Sequence, residues 1–181
     1  MFFSNKPTQV LYLARQTFDF YGSNNQVKSL QVPTEVFNNL EIQDEGQFDA
    51  MVKNFLLATN LKNQRVVIIL SDEVIFQKVL RETSGEIEQQ EAQRFFNEIP
   101  FDPEKVAQKQ LRIQNQLFLI AANCQLYESL AKILKEIGWE TVSIVPITLF
   151  TINNLQNLDF QSVTSILENK DLVRPLNFLI N

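Results

Sequence analysis

The chain has 181 residues, 45% of them hydrophobic, enough to bury a core as one domain or as two small lobes. Its 16 basic and 21 acidic side chains leave a net charge of −5 and are mixed along the chain, which excludes a domain that lives on nucleic-acid phosphates, where a basic patch is the rule. With no histidine and one cysteine, Cys124, a His-assisted nucleophile, an intrachain disulfide and a zinc cluster are excluded as well.

The opening residues, MFFSNKPTQ, lack a basic region followed by an apolar one, and no apolar run approaches the roughly 20 residues of a membrane helix. The expectation is a soluble protein of a reducing compartment. Residues 9–21 and 26–32 read as three strands, broken by the turn cluster Gly22-Ser23-Asn24-Asn25. After Pro33 comes a polar connection. A helix follows, with Phe48, Met51, Val52, Phe55 and Leu56 on one face and an Asp44/Gln47 capping box at its start.

The run Val66–Leu70 reads as a fully buried strand, and Ser71-Asp72-Glu73 as the connection to another strand. Thr83 and Glu86 form a second capping box, opening a helix with Ile87, Ala92, Phe95, Phe96 and Ile99 inward. Pro100 and Pro103 stop it. Two strands joined at Gln114–Asn115 come next, KVAQKQLRI and QLFLIAA. A helix with Leu126, Leu130, Ile133, Leu134 and Ile137 inward ends at Gly138. WETVSIV is the last strand, Pro146 begins a short helix, and a final helix spans Asp159 to Asn169 with Phe160, Val163, Ile166 and Leu167 inward.

Sites of chemistry are scarce. The four glycines, at 22, 46, 85 and 138, start no phosphate-cradling motif. Asp44–Glu45 and Asp72–Glu73 read as turn and cap carboxylates, and Lys53, Lys78 and Lys109 carry no signature of a nucleophile. Cys124, between an apolar strand and a helix, reads as a plain buried thiol. No catalytic, cofactor-binding or metal-binding residue is expected. Among 15 phenylalanines, Phe95, Phe96 and Phe101 suggest a peptide-binding patch. Phe95 continues the apolar face of its helix, which core packing explains, whereas Phe96 and Phe101 stand as candidate partner contacts.

A resemblance is carried by Glu91–Ala92, Ile99-Pro100-Phe101, the apolar Leu119–Ala122, Gly138 and Pro146–Phe150, in that order and spacing. Together with the preceding VVIILSDEVIFQKVL, these pieces resemble the type IV pilus assembly PilM family of actin-like proteins, over residues 64–152. The resemblance implies an α/β fold with a mixed sheet: an actin-like ATPase lobe carrying a small inserted α/β subdomain. Residues 1–63 plus 113–152 form the implied main subdomain, 64–112 the inserted one, and 153–181 a C-terminal helix and tail leading to a membrane anchor.

Family members are cytoplasmic scaffolds at the inner membrane. They bind the tail of a membrane-anchored partner and couple the assembly ATPase to the platform. Their first hairpin carries Asp-x-Gly-Ser/Thr, where glycine admits phosphate to the backbone and aspartate organises a metal. Here Tyr12-Leu13-Ala14-Arg15 stands in that place, and nothing after residue 152 resembles a second lobe. The tail RPLNFLIN is similar to the Asn-Leu-Leu motif of the membrane partner, which marks Asn177 as a third candidate contact.

The expected function is therefore a non-catalytic scaffold of a pilus or type II secretion-like (GspL-like) machine. Its partners are proteins of the inner-membrane platform and not nucleic acid, it uses no cofactor, and it meets the membrane only through a partner or through residues beyond 181. The alternative is a nucleotide-binding actin-like or RNase H-like enzyme completed by a partner chain or by homodimerisation.

Overall fold

The computed structural model describes residues 8–22, 26–81, 85–152, 163, 165–167 and 169–179. The chain starts as an antiparallel meander, β1 (Thr8–Leu13), β2 (Thr17–Tyr21) and β3 (Val27–Gln31). A two-rung ladder follows, β4 (Phe37–Asn38) with β5 (Glu41–Ile42). Helix α1 (Glu45–Leu57) then carries the chain to β6 (Arg65–Leu70), which lies parallel to β1. Asp44 caps α1 as its sequence indicates, Oδ1 accepting from the Gln47 amide at 2.9 Å.

The next elements are β7 (Ile75–Arg81), α2 (Glu86–Asn97), β8 (Val106–Ile113) and β9 (Gln116–Asn123). Then come α3 (Cys124–Glu136), β10 (Glu140–Pro146) and α4 (Thr148–Ile152). A short helix, Lys170–Val173, and a 3-10 turn, Arg174–Leu176, close the described chain.

Two sheets result. The first has the order β10-β6-β1-β2-β3 and is mixed; the second, β7-β9-β8, is antiparallel. β6 lies between two parallel neighbours, and its Val66–Leu70 are all buried, the setting in which a strand reads as a continuous apolar run. The main core lies where α1 and α3 meet the first sheet, with Phe18, Phe37 and Phe48 packed edge-on or tilted at 5.9–6.4 Å.

α3 ends in a Schellman motif: Trp139 N–H donates to Leu134 O and Gly138 N–H to Lys135 O, with Gly138 at φ 78°. Only glycine takes that conformation at little cost.

Across the implied boundaries at 64 and 112, β6 lies centrally in the first sheet and β9 centrally in the second. Strand partners are set by tertiary packing and leave no local trace. Three expectations need correction. Ile87 is 65% exposed; five residues before Ala92, it stands about 140° around the helix from it. Gly85, at φ 65°, is the N-cap of α2 and makes no side-chain cap bond, and Thr83 lies outside the described residues. Pro146 ends β10 rather than beginning a helix, and α4 starts at Thr148. Of the last expected helix, Phe160 lies outside the described residues, whereas Val163 is buried and Ile166 and Leu167 are half-buried.

Candidate functional site

The β1–β2 hairpin is tight: Ala14 N–H donates to Thr17 O at 2.9 Å. The turn after β6 folds against it, with Ser71 N–H donating to Leu13 O at 2.8 Å. Ser71 Oγ accepts from Glu73 N–H at 3.2 Å, and Glu73 Oε2 accepts from Arg15 N–H at 3.0 Å. The backbone donor at the hairpin tip is thereby held by the protein's own carboxylate. Burial pushes the Tyr12 phenol above its ordinary range, and the neighbouring Asp72 charge pushes it the same way, against a hydrogen bond with Ser71. Asp72 and Glu73 thus set two carboxylates beside the hairpin. The turn reading of this pair holds, but its contact with the hairpin escapes sequence inspection.

The aromatic candidates sit on the α2 side of the second sheet. Ala92 joins Leu80, Leu117 and Leu119 in a small separate core, with Phe95 and Phe96 half-buried against it. Phe95 and Phe96 stack at 5.1 Å, and Phe101 packs edge-on against Phe76 at 5.6 Å. The rings form two pairs. Beside Phe96, between α2 and β8, runs a groove of 330 Å³ lined by Glu88, Ala92, Phe96, Gln108, Gln110 and Leu117.

Asn177, expected to face a partner, is 5% exposed. Its Oδ1 accepts from Ile144 N–H at 3.0 Å and from Leu179 N–H at 3.1 Å, while Phe178 N–H donates to Ile144 O at 2.8 Å. Its polar side chain is engaged because it fastens the tail along the outer edge of β10. Cys124 is half-buried rather than fully buried. Burial, then the Glu128 charge, pushes its thiol up, away from the thiolate that a nucleophile needs. Among the described residues no group of three or more acidic or thiol side chains is placed to hold a metal ion. No helix among them is long and apolar enough to cross a membrane.

Neither protein-family profiles nor curated proteins match the chain. Solved structures do. A chain of the PilM–PilN type IV pilus biogenesis complex matches at TM-score 0.57 and 14% identity, covering 84% of this chain and 51% of its own. The cytoplasmic domain of EpsL, an inner-membrane component of the Vibrio cholerae type II secretion system, matches at 0.49 and 14%, covering 78% and 58%. A Bacteroides thetaiotaomicron protein with an actin-like ATPase fold and unknown function matches at 0.41 and 16%, covering 74% and 51%. The first likeness shows the fold, the mixed α/β architecture that the sequence resemblance implies. This chain spans about half the length of that structure's chain.

Proposed function

We propose that the chain is a non-catalytic scaffold or adaptor of a type IV pilus or type II secretion-like assembly machine, working at the cytoplasmic face of the inner membrane. It engages segments of partner proteins and meets the membrane through them. The observation that carries the non-catalytic half is the hairpin tip, where Glu73 takes the Arg15 N–H that a phosphate would need. The assembly half is supported by the fold it shares with a structure named for a complex of PilM with PilN. In such a complex one protein presents a surface and the other a segment, and main-chain or groove recognition suffices without chemistry.

The test titrates the full chain with the cytoplasmic segments of the membrane-anchored proteins encoded beside it. Saturable binding of one such segment, abolished by scrambling its sequence, is expected. Failure of every segment to bind contradicts the proposal.

A further inference from the structure

Glu88, on the first turn of α2, stands out within the groove described above. Its side chain is 15% exposed. One carboxylate oxygen pairs with the Arg112 guanidinium, and Oε2 is buried with no hydrogen-bond partner among the described residues. A buried acceptor left without a donor costs about 1–3 kcal/mol, so this oxygen favours an incoming N–H or ammonium group.

The other wall of the groove is β8, an outer strand of its sheet. Its two-residue turn, Gln114–Asn115, makes Ile113 and Gln116 a hydrogen-bonded pair. Antiparallel alternation then directs the backbone groups of Ile113, Leu111, Lys109 and Ala107 toward β9, and those of Arg112, Gln110 and Gln108 outward. Among the described residues no strand pairs with that outward edge. The side chains of Gln108 and Gln110 line the groove, while Ala107 and Leu111 pack against the main core on the opposite face.

We infer that β8 and the groove form a docking site for an extended partner segment, added antiparallel as a fourth strand. This rests on the scaffold reading and names its mode of recognition. An antiparallel segment starts at the Arg112 end of β8, beside Glu88, and runs toward Gln108. Eight helical residues separate Glu88 from Phe96, about 12 Å, and four strand residues span about 13 Å. The fitting segment therefore carries a cationic side chain for Glu88, a small apolar one over Ala92, and a larger apolar one four residues after the cation, over Phe96 and Leu117. Its backbone bonds to the outward groups of β8 supply affinity, and the alternate side chains supply choice.

The probe is the labelled heptapeptide Thr-Lys-Thr-Val-Thr-Leu-Thr, titrated into the full chain and followed by amide chemical shifts. Saturable shifts at Gln108, Gln110 and Arg112 are expected. Gln110→Pro removes one outward N–H and no bond within the sheet, a change that an edge strand tolerates; it weakens binding about tenfold or more. Glu88→Gln, which leaves the strand backbone untouched, removes the preference for this peptide over one with Glu in place of Lys. No shifts at β8, or equal binding by the wild type and either variant, overturns the docking site. If a natural segment binds the full chain and Gln110→Pro alike, the docking site fails and the scaffold reading stands. If no natural segment binds the chain at all, both fail.

Discussion

Glu73 lies 58 residues from Arg15 in the chain, yet its carboxylate meets the Arg15 amide at 3.0 Å. The resemblance sets Tyr12-Leu13-Ala14-Arg15 where the family carries a carboxylate and a glycine. What fills the place depends on the turn after β6 and has no local signature. Asn177 illustrates the same limit from the other side: an asparagine in an apolar tail suggests a recognition motif, and only the fold reveals that its oxygen serves Ile144 and Leu179. Tyr127 carries a prediction at this scale. It is 4% exposed, and burial, reinforced by Cys124 and Glu128, pushes its phenol far above its ordinary value. The neutral phenol is favoured in the folded state, so its contribution to stability is complete below the unfolded value near 10.0 and is lost as pH rises beyond it. Denaturant titrations from about pH 9 to about pH 11 should show stability falling with pH, and Tyr127→Phe should flatten that fall. An unchanged slope in the variant removes Tyr127 as its source.

Elements were largely legible because their periods are. Val66–Leu70 announced a doubly covered strand, the Asp44 cap and the Gly138 stop bounded their helices, and the three-strand opening followed from alternation and its turn. Partners were not legible, since nothing within β6 or β9 says which sheet each joins; the positions of Ile87 and Pro146 depended on helix phase and strand length to within a residue or two. The tail is the element with the clearest mechanical role. It lies along β10, the outer strand of the first sheet, and places Leu176 and Phe178 in the main core, with Phe178 against Tyr127 at 5.6 Å. A covered outer strand offers no template for unwanted pairing. Asn177→Ala leaves the buried Ile144 N–H without its acceptor and should cost about 1–3 kcal/mol, measured by chemical denaturation. It should also raise hydrogen exchange at the β10 edge. Unaltered stability and exchange contradict the fastening role.

At the scale of the molecule, the two larger sheets differ in what lies at their outer strands. The first has β10 covered by the tail and β3 at its other side, and carries the closed hairpin. The second has β8 as an outer strand, with the Arg174–Leu176 turn packed against it and the α2 groove beside it. The groove was half legible: the phenylalanines of α2 drew attention to the right helix, but the carboxylate oxygen of Glu88 and the outward amides of β8 exist only once the elements pack. Under the proposed function, a hairpin tip held by its own glutamate serves recognition rather than nucleotide chemistry. Calorimetric titration of the full chain with Mg-ATP tests this most directly. The account predicts no saturable heat; saturable binding of the nucleotide, with shifts at Ala14, Arg15 and Glu73, would contradict it.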